Sequence, residues 1–181
     1  MSVAWLAVLL GVGYAAPQVY GLAKPVAYRE ALRSFPRSER WGYALMLLAT
    51  AWFLWNLHRE NISDFAAFKP VLIAGFAVVG VGACWYLRDF LAVRGLAVLC
   101  MLLAKLMVDT MRWVDSDWRW VVVTWAYVLV VVGMWLTISP YRLREWFEWQ
   151  TGSEVRMKVG LALRLAFGLG VALLGVTVFR A

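Results

Sequence analysis

Histidine is almost missing from this chain. His58 stands alone among 181 residues, so the two axial imidazoles of a membrane b-type haem cannot come from one copy, and no HExxH zinc-peptidase motif exists. Cysteine is nearly as scarce. Cys84 and Cys100 fall inside apolar runs at a spacing that fits no metal or redox motif, and they read as small packing residues. Charge is thin too, at 16% of the sequence against about 25% in an ordinary soluble domain. No apolar run holds a lone central carboxylate of the kind that couples proton or sodium movement. These shortages argue against haem, zinc and ion-driven chemistry. The reading calls for no cofactor, no metal and no catalytic residue.

What fills the chain instead is apolar. Hydrophobic residues make up 64% of it, and the mean hydropathy is +0.71. Crossing roughly 30 Å of hydrocarbon takes about 20 mostly apolar residues. The runs Ser2–Ala23 and Trp120–Tyr141 carry no charged side chain at all. The class that follows is all-α: a polytopic membrane protein built as a six-helix transmembrane bundle in a single domain. The expected spans are Val3–Leu22, Trp41–Leu57, Val71–Leu87, Phe90–Met111, Trp120–Ile138 and Val159–Phe179. The second and third have short uncharged stretches. The fourth is interrupted by Arg94 and Lys105, which can snorkel to opposite membrane faces. The N-terminal run lacks the positive n-region of a signal peptide and reads as a retained first span.

The formal net charge is +7, and only Lys24, Lys69, Lys105 and Lys158 among the 18 basic residues are lysine. In an oily chain such basicity marks cytoplasmic loops and anionic lipid heads rather than nucleic acid. The connections after the odd-numbered spans hold Lys24, Arg29, Arg33, Arg37, Arg40, Arg88, Arg94, Arg142, Arg144, Arg156 and Lys158. Those after the second and fourth spans hold only Arg59, Lys69, Arg112 and Arg119. The positive-inside rule then puts the odd-numbered connections in the cytoplasm and both termini outside. The arginine bias and the abundance of Ala, Val and Leu point to a bacterium with a GC-rich genome, hence to a bacterial inner membrane with periplasmic termini. The sequon Asn61-Ile62-Ser63 on the outer side would carry no meaning there. Trp41, Trp85, Trp113, Trp118, Trp120, Trp146 and Trp149 fall near span ends, the depth at which indole rings anchor.

The cytoplasmic connections resemble one another. Pro25-Val-Ala-Tyr-Arg29-Glu30 and Pro140-Tyr-Arg-Leu-Arg144-Glu145 share a pattern, and Arg88-Asp89 follows the third span in the same order. At about 100° per residue, Tyr28, Ala31, Leu32 and Phe35 share one face, as do Leu143, Trp146 and Phe147, with the charges opposite. The expectation is three helical hairpins with cytoplasmic amphipathic elbows, at residues 25–35 and 140–150, lying in the headgroup plane. Arg29, Arg33, Arg144, Trp146 and Trp149 would be the interfacial anchors.

Two sets of residues are candidates for more than anchoring. Small residues let helices approach closely in lipid. Ala7, Gly11 and Ala15 in the first span and Ala162, Ala166 and Gly170 in the last recur at four-residue spacing, and read as packing faces within the chain or against a partner. The polar intramembrane candidates are Arg94, Lys105, Asp109 and Arg164; Lys105 and Asp109 share a helix face. Asp115 and Asp117 read as a solvated turn. The function expected is that of a non-catalytic scaffold or accessory subunit of a larger membrane complex, its partners the lipid bilayer and other subunits or a second copy. The alternative is a small transporter or channel with a polar pathway near Lys105 and Asp109.

Overall fold

The computed structural model describes residues 3–61, 63–87 and 89–179. Among the described residues eight α-helices run in order: α1 (Val3–Ala23), α2 (Pro25–Ser34), α3 (Glu39–Arg59), α4 (Lys69–Tyr86), α5 (Leu91–Met111), α6 (Arg119–Ile138), α7 (Tyr141–Thr151) and α8 (Glu154–Thr177). Their ends follow local chemistry. Pro25 opens α2, where its missing N–H costs nothing. The Ser38 side chain accepts from Trp41 N at the start of α3, with Glu39 in the first turn against the helix dipole. At the other end of α3, Lys69 Nζ donates to the carbonyls of His58 at 2.6 Å and Glu60 at 2.9 Å, satisfying C-terminal acceptors that have no helical partner.

Among the described residues five helical segments are long and apolar enough to cross a membrane: Val3–Ala23, Ala66–Tyr86, Leu91–Met111, Arg119–Ile138 and Glu154–Thr177. The expected count of six is therefore not met by length and hydropathy. The shortfall is α3, which has 21 residues but draws Glu39, Arg40, Asn56, His58 and Arg59 into its length. The interrupted fourth span does qualify: α5 reaches a hydropathy of 2.1 in spite of Arg94 and Lys105.

The chain divides into two compact units, each taking part of α5 and α6: Met1–Arg33 with Leu103–Val130 and Arg144–Ala181, and Ser34–Leu102 with Val131–Leu143. The first is organised by α1 against α8. A Cβ at Gly11 would lie 2.5 Å from Ala172 N and Gly168 O, and one at Gly168 would lie 2.8 Å from Gly11 O. Near the ends, Gly175 meets Ala4 and Val8, and Gly21 meets Leu161. Rising numbers on α1 pair with falling numbers on α8, so the two helices are antiparallel, backbone against backbone. Beside them Ala104, Met107, Met111, Val122 and Ala126 join Ala7 and Val171 in a buried cluster. Tyr14, Trp125 and Phe167 meet edge to face, at centroid distances of 5.2, 6.1 and 5.2 Å.

The second unit is built on the α3–α4 hairpin. Phe53 and Phe76 lie edge to face at 4.9 Å, and a Cβ at Gly80 would run into the Thr50 side chain. The α5 segment of this unit runs parallel to α3, with Gly42 against Leu91 and Ala92, and Gly95 against the backbone of Leu45 and Met46.

The elbows differ from one another. Helices of 10 and 11 residues form at the first and third. The middle one is a tight corner in which Phe90 adopts a left-handed φ of 56°, a conformation costing a non-glycine residue about 1–2 kcal/mol; Arg88 lies outside the described residues, as does Ile62 of the sequon. The apolar faces of α2 and α7 turn into the protein: Tyr28, Leu143 and Phe147 are buried, whereas Ala31 and Trp146 are exposed.

Within the chain, α8 meets α1 by a different stripe from Ala162, Ala166 and Gly170, which leaves those three only the reading as a face for a partner. Ala162, Ala166 and Gly170 are exposed, and nothing lies within 4 Å of a Cβ at Gly170. The face meeting α1 is Leu161, Gly168, Ala172 and Gly175, because small side chains occur on several sides of α8 and only one matches α1. Gly11→Val should lower stability in detergent by about 2 kcal/mol or more, since it forces backbones apart. Gly13→Val and Gly170→Val, in open space, should stay within about 0.5 kcal/mol. Unfolding of all three followed by circular dichroism checks the difference.

Candidate functional site: the α7–α8 elbow

Two of the four charged intramembrane candidates pair with each other. Lys105 Nζ lies 2.7 Å from Asp109 Oδ2 along one face of α5, with the two side chains 42% and 55% exposed. An ion pair that open contributes no more than about 0.5 kcal/mol. Arg94, half-buried on α5, has an Nε without a hydrogen-bond partner among the described residues, and so does the half-buried Arg29 on α2. Arg33 is exposed at the end of α2. Among the described residues no three His, Cys, Asp or Glu side chains gather as metal ligands.

Arg164 is different, because it draws side chains from another helix. Its Nη2 donates to Gln150 Oε1 at 3.1 Å, and its guanidinium carbon lies 4.5 Å from the Trp146 ring centroid. Three residues further along α7, just under one turn, the same arrangement recurs. Arg156 stacks at 4.5 Å over Trp149, and its Nη1 donates to the Trp149 carbonyl at 2.9 Å. That second bond satisfies an acceptor in the last turn of α7. Two arginines of α8 thus clasp two tryptophans of α7. Of the expected anchors, the structure brings Trp146 together with Arg164 and Trp149 with Arg156. Arg144 goes instead to Glu148, at 2.8 Å.

Gln150 was not among the expected site residues, yet it is central. It is 2% exposed, and with Oε1 committed to Arg164 its Nε2 is left buried without an acceptor among the described residues. Leaving such a group unpaired costs about 1–3 kcal/mol. The signal for it was present: Gln150 falls on the same stripe as Leu143 and Phe147, a polar side chain on the apolar face of an amphipathic helix. Gln18 on α1 is similar, 5% exposed, its Nε2 donating to Tyr14 O at 3.2 Å and its Oε1 without a partner among the described residues. The antiparallel register of α1 and α8 sets Gln18 level with Arg164.

Tyr28 completes the surroundings. It packs with Met157 and Leu161. Burial pushes its phenol above the usual range, with the Arg164 cation pulling the other way. Comparisons with protein-family models, with curated proteins and with solved structures return no match.

A raised phenol has a definite pH consequence. Below about pH 10, the ordinary tyrosine value, Tyr28 is neutral in both states and adds no pH dependence. As pH rises past that value the unfolded chain ionises first, so the Tyr28 contribution to stability is lost on the alkaline side. Wild type should therefore lose more stability than Tyr28→Phe between pH 9 and about 11, and the two should run parallel at lower pH. Thermal unfolding of both proteins across that range is the measurement.

Proposed function

We propose that this chain is an inner-membrane protein of a bacterium that crosses the bilayer six times, α3 included, with both termini on the periplasmic side and with no chemistry of its own. Its role is that of a scaffold or accessory subunit within a larger membrane assembly. The observation that carries the reading is how the polar groups are spent. Lys105 pairs with Asp109 and Lys158 with Glu154, each along its own helix and open to the surroundings, rather than converging inside the membrane. The outward surface is meanwhile large and apolar. On α4, Val78 and Val79 are 71% and 65% exposed, and a Cβ at Gly75 or Gly82 would touch nothing.

The antiparallel α1–α8 seam supports the topology, since it sets the start of α1 and the end of α8 at the same end of the pair. The basic connections support the cytoplasmic placement of the α2 and α7 elbows. The second reading, a small transporter or channel with its pathway near Lys105 and Asp109, draws on one observation: the buried Nε of Arg94 on the same helix, which has no hydrogen-bond partner among the described residues.

Two experiments test these points. Cysteines at Arg37 and Asn61, which flank α3, should be labelled from opposite faces of sealed vesicles; labelling from one face would remove α3 from the spans and break the assigned orientation. A photo-crosslinking residue at Val78 in native membranes should give a discrete adduct with a membrane protein. Lipid-only products at that site, together with altered solute flux in Lys105→Ala or Asp109→Ala, would replace the scaffold with the transporter.

A further inference from the structure

The carboxylates at the α7–α8 elbow are already taken. Glu148 pairs with Arg144 at 2.8 Å and Glu154 with Lys158 at 2.8 Å. Arg156 and Arg164 have no carboxylate partner among the described residues; each is held by an indole face and one carbonyl-type oxygen. A guanidinium stacked in this way gives one N–H to that oxygen and still carries further in-plane N–H groups, and such a planar fork matches the oxygens of a phosphate. Gln150 is 2% exposed, and its Nε2 lacks an acceptor among the described residues; a phosphate oxygen drawn in beside Arg164 supplies one. We propose that this elbow binds the headgroup of an anionic phospholipid, its phosphate gripped by Arg164 and its outer part met by Arg156.

The arrangement argues for lipid rather than a free ion. The two arginines are eight residues apart on one helix, a rise of about 12 Å, so Arg164 reaches in from deeper along α8 and Arg156 lies toward the helix start. The depth marked by Trp146 and Trp149, 43% and 59% exposed, is where indoles meet the headgroup boundary. A basic pocket between helices on the cytoplasmic side is the usual setting for bound acidic lipid. Charge also sets the selectivity. A choline or ethanolamine ammonium would approach Arg156 and be repelled, whereas a glycerol headgroup would not. The inference rests on the membrane reading above and adds to it one specific, saturable lipid.

The test uses the full chain, purified in mild detergent and stripped of lipid. Short-chain phosphatidylglycerol, phosphatidylcholine and inorganic phosphate are titrated separately and bound species counted by native mass spectrometry. One phosphatidylglycerol should bind saturably, with phosphatidylcholine at least tenfold weaker and inorganic phosphate unable to displace it. Arg164→Gln should weaken phosphatidylglycerol at least tenfold, and Arg144→Gln, which removes an arginine already paired, less than twofold. Arg164→Lys keeps the charge but loses the fork and the stacking, and should weaken binding at least fivefold even if Arg164→Gln fails to fold. Equal losses in Arg164→Gln and Arg144→Gln, equal binding of the two lipids, or displacement by inorganic phosphate would overturn the site. Carbonate extraction of membranes reads insertion separately: protein released there overturns the membrane reading, whereas protein retained without a phosphatidylglycerol preference overturns only the elbow site.

Discussion

The close approach of α1 and α8 is the constraint on which the first unit depends. Gly11 and Gly168 leave each helix no side chain at the crossing, so backbone meets backbone. In the bilayer proposed for this chain, lipid tails would be as apolar as leucine, and no water-driven force would hold the helices together. Many dispersion contacts at short range replace it, and these require the absence of side chains. The consequences spread along the seam. Ala7 and Val171 enter the buried cluster with Met107 and Val122. Tyr14 and Phe167, level with each other across the seam, both meet Trp125. Gly21 leaves the space that Leu161 and Tyr28 fill, which brings α2 onto α8.

A second constraint acts at the elbow. Removing a polar group from water is costly unless it finds a partner, and α7 buries Gln150 and Thr151 with Leu143 and Phe147. Thr151 resolves its hydroxyl locally, donating to Phe147 O at 2.8 Å. Gln150 resolves only half of its amide, by accepting from Arg164. The arginine in turn lies against Trp146 rather than a carboxylate. The elbow is thus positive and incompletely satisfied, at the place where the chain turns between helices, while Lys105 and Asp109 neutralise each other in the open.

Particular residues show what could be read in advance. The helical class and most of the apolar segments followed from runs such as Trp120–Tyr141. The elbow helices followed from charge and apolar side chains alternating at helical spacing. The stripe on α8 did not. Gly160, Ala162, Ala166, Gly168, Gly170, Ala172 and Gly175 lie on several sides of that helix, and in a span that is apolar all round no polar face marks the outside. The elbow pairing was equally hidden. Arg164 and Gln150 are fourteen residues apart in the chain, and nothing in either segment alone indicates that the cation turns back over Trp146.

What the amino-acid sequence determined by itself was the kind of molecule: several oily helices, basic connections, and two short amphipathic helices at the turns. Those properties are sums over neighbouring residues, since transfer from water to hydrocarbon is close to additive along a segment. The tertiary structure alone decided which faces meet. It chose Gly168 over Gly170, buried the apolar sides of α2 and α7 within the protein, and left Arg156 and Arg164 without carboxylates among the described residues. Facing is a property of pairs of helices, set by whether two surfaces can come within van der Waals reach, and no single segment holds that information.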